Sequence, residues 1–173
     1  LLLMPYQDIE GVGYGSKIRN TGEKLRILMS DELIGRTVDA LGKPIDGKGE
    51  IGGSEFYSIG GSPSNPMERP PISETLEFGV KAIDGMLTIG IGQRMGIFAG
   101  SGVGKSTLMG MIARNVSADV NVIALVGERG REVMEFINRD LGPEGIKRSV
   151  LVVATSNQPA MLRSKCALTA TTI

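Results

Sequence analysis

The sequence predicts an α/β fold with a mainly parallel sheet. Two observations carry this. Apolar runs alternate with stretches of helical period from about residue 75 onward, and a glycine-rich turn joins one such run to a helix-like stretch. Alternation of this kind implies strands joined by right-handed crossovers.

The elements follow in order. Residues 1 to about 26 hold short apolar runs, Leu1 to Tyr6, Gly11 to Ile18 and Leu25 to Met29, broken by Gly13, Gly15, Asn20 and Gly22. They read as the closing strands of a small β domain. Residues 27 to 68 are loop-rich, with turn chemistry over 35–42 and 43–47. Residues 60–66 and 69–71 read as an extended connector, since their prolines lack the donors of a central strand. From Thr75 to Leu87, the residues Leu76, Val80, Ile83 and Leu87 have helical spacing. Strands are expected at 95–99, 120–126 and 149–155, and helices at 105–115, 131–140 and 158–173. In the middle helix Val133, Met134, Phe136, Ile137 and Leu141 form one apolar stripe, read as core packing. The last helix has Ser156 or Asn157 at its expected cap and Pro159 in its first turn. No repeat or low-complexity tract is visible.

The glycine-rich turn is Ala99-Gly100-Ser101-Gly102-Val103-Gly104-Lys105-Ser106, with Thr107 following. It reads as a phosphate-binding loop, because it follows an apolar run and opens a helix. Its glycines let backbone N–H groups converge on phosphate oxygens, and the helix N-terminus adds about half a positive charge there. Lys105 is expected to reach the β- and γ-phosphates, and Ser106 to hold Mg²⁺ through its hydroxyl. The strict pattern begins with Gly, where this chain has Ala99. The bland alternative is a turn with a surface lysine.

The run 120–126 ends in Gly127-Glu128-Arg129-Gly130-Arg131-Glu132. Ligands of open α/β sheets sit at the carboxyl ends of the strands, so Glu128 shares a rim with the loop. A carboxylate there can orient or deprotonate the water that attacks a γ-phosphate. Arg129 and Arg131 are candidates to hold phosphate charge or to position Glu128. The competing reading is a charged turn that caps the next helix through Glu132.

Composition narrows the field. The 173 residues suffice for one domain, and the chain starts at Leu1 and stops inside an expected helix, which reads as a fragment. Nineteen basic and nineteen acidic residues cancel, which argues against a large nucleic-acid or anionic-membrane surface. With no histidine the usual metal ligand and general base are absent. The one cysteine, Cys166, excludes an internal disulfide, suits a reducing cytosol and has no histidine to activate it. It reads as a small packed side chain, and Met109 and Met111 as core filler. No apolar run approaches the roughly 20 residues of a membrane helix, and no secretory signal is visible. Aromatics are few and tryptophan is absent, so base-stacking platforms are not expected.

A resemblance now adds to this. The run Arg69-Pro70-Pro71-Ile72-Ser73-Glu74, the run 79–88, and Gly90-Ile91-Gly92-Gln93-Arg94-Met95-Gly96-Ile97-Phe98 lead into the loop. With the Ala-first loop and the Gly-Glu-Arg turn they resemble the bacterial type III export ATPases. These are the flagellar export ATPase and its injectisome relatives, cousins of the catalytic β subunit of rotary ATP synthase. The resemblance covers essentially the whole chain and is strongest from Glu68 to Asn157. The loop alone is shared by many NTPases; the lead-in with the Gly-Glu-Arg turn is more specific.

The resemblance implies a RecA-like P-loop NTPase core preceded by the end of a small N-terminal β-barrel, residues 1–26, with residues 27–173 as the first part of the ATPase domain. It implies a homo-hexamer with ATP and Mg²⁺ between subunits. Ala99 to Thr107 would contact nucleotide, Lys105 would bind phosphate, Ser106 would hold the metal, and Glu128 with Arg129 would act in catalysis. Stalk and regulator proteins, export chaperones and export substrates would be partners, with no nucleic acid. The place would be cytoplasmic, at the cytosolic face of the inner membrane beside the export gate. The family's second acidic motif, arginine finger and C-terminal helical region are not found in these residues, so the fragment alone is expected to hydrolyse ATP poorly. Overall likeness leans to the flagellar system. The injectisome system, a vacuolar or ATP-synthase subunit, a non-catalytic nucleotide-binding regulator and an RNA-translocating hexamer stay open as alternatives.

Overall fold

The computed structural model describes residues 3–6, 9–61, 65–100 and 102–173. Among them the chain runs through β1 (Arg26–Met29), β2 (Thr37–Asp39), β3 (Glu55–Ser58), α1 (Lys81–Met86), α2 (Lys105–Asn115), β4 (Asn121–Val126), α3 (Gly130–Glu135), α4 (Gly142–Lys147), β5 (Ser149–Ala154) and α5 (Ala160–Thr172). A π-helical segment, Phe136–Leu141, continues α3 into α4. No helix among these residues is long and apolar enough to cross a membrane.

The central sheet has the order β2-β5-β4, and both pairings are parallel. β5 lies in the middle and all six of its residues are buried. Its side chains alternate between two cores, as the period of a strand requires. Val150, Val152 and Ala154 pack with Leu162 and Cys166 of α5 and with Val38 of β2. Leu151 and Val153 pack with Ala113, Val133, Phe136 and Leu141 on the opposite face. A strand covered on both faces is an unbroken apolar run, which is why this one is visible in the sequence.

Side chains fasten the layers. The Cys166 thiol donates to the Val152 carbonyl at 3.3 Å, and the buried Thr169 hydroxyl donates to the Ala40 carbonyl at 2.6 Å. The Arg148 guanidinium donates to the carbonyls of Val116 and Ala118, so the loop after α2 is tied to the start of β5. Beside β2, Arg36 holds Asp46 through two bonds of 2.8 and 3.0 Å, and Asp46 also accepts from the Thr37 and Lys48 N–H groups.

Several expectations are corrected. The region 35–42, expected as turn, contributes β2, which pairs Thr37, Val38 and Asp39 with Leu151, Val152 and Val153. Its own turn follows, with the Asp39 carboxylate accepting from the N–H groups of Leu41 and Lys43. Three residues are too few to show a period, so the sheet decides this strand. Of the three apolar runs before residue 30, only the last forms a strand among the described residues, β1, paired antiparallel with β3. Residues 95–99 form no strand, and Met95, Ile97 and Phe98 are exposed. An apolar run becomes a strand only where its N–H and C=O groups pair with a second strand, and among the described residues none is paired with it.

The helical spacing over 75–87 yields only α1; Thr75 instead forms a bridge with Gly90. Met134 faces solvent, whereas Val133, Phe136 and Leu141 are buried, because Met134 stands about 100° round the helix from Val133. The cap of α5 is Pro159, not Ser156 or Asn157, which lie in the turn before it. Met109 and Met111 are partly exposed rather than core filler, whereas Cys166 is fully buried as expected.

Candidate phosphate-binding cleft

The loop is built by backbone conformation. Gly102 and Gly104 have φ of 76° and 97°, a region that side chains with a Cβ rarely adopt. Gly104 caps α2, and its carbonyl takes the first helical bond from the Leu108 N–H at 2.9 Å. The N–H groups of Lys105, Ser106 and Thr107 therefore have no helical carbonyl to bond and face outward at the helix start. That end carries about half a positive charge.

The turn after β4 is pinned to the end of β5. The Gly127 N–H donates to the Ala154 carbonyl at 2.7 Å, and the Ser156 N–H donates to the Glu128 carbonyl at 3.0 Å. α3 then begins with Glu132 bonded back onto Arg129. Glu132 accepts from the Arg129 N–H at 3.4 Å and from Arg129 Nη1 at 2.9 Å. The Arg129 N–H, and after it the Arg129 guanidinium, hold the Glu132 carboxyl below its usual range. Arg129 and Glu132 thus fill the cap, which was the competing reading for this turn.

A cleft of about 270 Å³ lies where these parts meet. It is lined by Gly100, Gly102, Gly104, Lys105, Ser106, Thr107, Glu128, Glu132 and Arg139. Seven of the expected site residues are thus together. Ala99, Val103 and Arg129 do not line it, and Ser101 lies outside the described residues. A second cleft of about 260 Å³ adjoins it, bordered by Lys105, Ser106 and Glu128 and floored by Met109, Leu125, Val133 and Phe136.

Sequence reasoning missed Arg139. Its Nε and Nη2 donate to the two carboxylate oxygens of Asp140 at 3.1 Å each, and the Asp140 side chain is only 4% exposed. The available signal was spacing, since Glu132 and Arg139 are seven residues apart, close to two turns and so one helix face.

The lining fits a nucleotide polyphosphate. It combines outward N–H groups at a helix start, a lysine, a hydroxyl and a carboxylate. Among the described residues no group of three or more carboxylate, cysteine or histidine side chains is placed to cage a metal. The Ser106 hydroxyl is an oxygen donor of the kind Mg²⁺ accepts, one or two from protein with phosphate and water completing its shell.

Residues 79–173, more than half of the chain, match the sequence model of the ATP synthase alpha/beta family, nucleotide-binding domain. The chain belongs to this family. Among family members, the flagellum-specific ATP synthase of Bacillus subtilis is 60% identical over 173 residues, all of this chain and 40% of that protein. The flagellum-specific ATP synthase of Treponema pallidum is 55% identical over 171 residues, 99% of this chain and 38% of that protein. The type 3 secretion system ATPase of Xanthomonas euvesicatoria is 46% identical, over 99% of this chain and 39% of that protein. The chain therefore spans about two fifths of the length of these relatives. The structure of the assembled ATPase EscN with its central stalk EscO, from the enteropathogenic E. coli type III secretion system, is similar with a TM-score of 0.90 at 46% identity. That likeness covers 98% of this chain and 42% of the other.

Proposed function

We propose that the protein is an ATPase that energises protein export through the bacterial flagellar type III export apparatus. The observation that supports this most is the cleft that holds Lys105, Ser106 and Glu128 together in a family of nucleotide-binding domains. Identity of 60% and 55% to flagellum-specific relatives, against 46% to a type 3 secretion system ATPase, favours the flagellar over the injectisome system.

In this reading the backbone of the loop and Lys105 bind the phosphate chain of ATP. Ser106 would hold Mg²⁺, which would supply charge neutralisation to the phosphate chain when bound. Glu128 orients a water against the γ-phosphorus and takes up its proton as the bond to the β-phosphate oxygen breaks, leaving ADP and phosphate. Glu132 and Arg129 hold the turn that carries Glu128. Residues 27–173 belong to the ATPase domain and residues 1–26 to a preceding β domain. The working form is a homo-hexamer with nucleotide between subunits. It engages a central stalk, regulators, chaperones and export substrates at the cytosolic face of the membrane, without nucleic acid.

The test is ATP turnover against protein concentration, for residues 1–173 and for the chain extended to the length of its flagellar relatives. Activity confined to the longer chain and rising steeply with concentration supports a site shared between subunits. Equal, concentration-independent activity in residues 1–173 overturns it.

A further inference from the structure

The charge on the cleft carries one step more, resting on the ATPase reading. We propose that Arg139, clamped by Asp140, contacts the nucleotide's phosphate chain from the same subunit as Lys105.

The charged side chains that line the cleft are Lys105, Arg139, Glu128 and Glu132. Glu132 is already paired with Arg129, which leaves Lys105 and Glu128 facing a polyphosphate that stays anionic even with a divalent cation bound. Arg129, the arginine next to Glu128, does not supply the missing charge, because it is turned onto Glu132 and lies outside the lining. Arg139 does line the cleft, with N–H donors beyond the two that Asp140 takes.

The clamp also fixes its direction. A pair of exposed ions fixes little, because water competes for both partners. Here one partner is buried, and both of its oxygens accept from Arg139. The guanidinium has five N–H donors and spends two on Asp140, leaving the rest for a second acceptor. The backbone beneath is locked as well. A Cβ placed on Gly110 of α2 would stand 2.4 Å from the Asp140 carbonyl oxygen, so the π-helical segment rests directly on the helix that begins at Lys105. The two cations therefore ride on elements in close contact and line one cleft.

The test uses the full-length protein in its assembled form and displacement of a fluorescent ATP analogue. Inorganic tripolyphosphate and adenosine serve as separate competitors. Arg139→Gln is expected to weaken ATP and tripolyphosphate about ten-fold or more, with adenosine unchanged. Asp140→Asn should weaken tripolyphosphate less, and Arg139→Lys should recover part of the loss, since lysine keeps the charge but not the fork. A merely structural role would move adenosine and tripolyphosphate together, and that result overturns the proposal. So does wild-type tripolyphosphate binding in folded Arg139→Gln or, should that variant not fold, in Arg139→Lys with Asp140→Asn. Lys105→Ala separates the two readings. If it loses tripolyphosphate while Arg139→Gln does not, only Arg139 is excluded; if it too binds normally, the phosphate-loop reading fails.

Discussion

Gly110 and Asp140 are in direct contact. A Cβ on Gly110 would lie 2.4 Å from the Asp140 carbonyl oxygen and 2.8 Å from its Cβ. α2 carries Lys105 and the π-helical segment carries Arg139, so this contact spaces the two cations of the cleft.

Gly110→Ala is therefore expected to destabilise the fold by about 1–3 kcal/mol, because backbone has to move to admit the methyl group. Helix propensity alone predicts the opposite sign, a gain of up to about 1 kcal/mol. The urea midpoint decides, and a midpoint at or above wild type would show that α2 is free to shift.

Lys105→Ala and Glu128→Gln are expected to separate binding from chemistry. The lysine variant should lose nucleotide affinity. The glutamine variant should bind ATP normally yet turn over about 10²- to 10⁴-fold more slowly, the range of a lost general base. Steady-state kinetics on the assembled protein reads both. Unimpaired turnover in Glu128→Gln would remove Glu128 from the reaction.

Asp46 makes stability depend on acid. The Arg36 guanidinium bonded to it holds its carboxyl well below the usual carboxylate range, helped by the Lys48 and Thr37 N–H groups. A depressed folded pKa gives stability that is complete above the unfolded value, about 3.9, and is lost as pH falls through the folded one. Asp46→Asn is thus expected to cost about 2 kcal/mol at pH 7. The gap to wild type should narrow below about pH 4. Chemical denaturation from pH 7 to 2 measures it, and a gap constant with pH would contradict the assignment.

Cys166 is expected to be inert. Burial, with a smaller contribution from Asp39, pushes its thiol up to about 11. An alkylating reagent at pH 8 should leave the native protein unlabelled and modify it fully in denaturant. Fast native labelling would mean that α5 opens from the sheet.

The corrections share one cause. The loop, α2, β4 and β5 were legible because each rests on local chemistry, a long apolar run, or a glycine that only one conformation explains. Residues 95–99 have the composition of β4 but gain no strand, for want of a neighbour's ladder. Arg129 and Arg139 look alike in sequence, and only one lines the cleft. Which of them does so follows from the Arg129–Glu132 pairing at the start of α3 and from the buried Asp140.

By itself, then, the sequence determined the α/β class, the glycine-rich loop that opens α2 at Lys105 and Ser106, and Glu128 on the same rim. Tertiary structure decided that β2 joins the central sheet, that α1 is short, and that Arg139 lines the cleft. The physical reason is range. Loop conformation and long apolar runs are encoded within about ten residues, whereas strand partners and the direction of an arginine depend on groups tens of residues away.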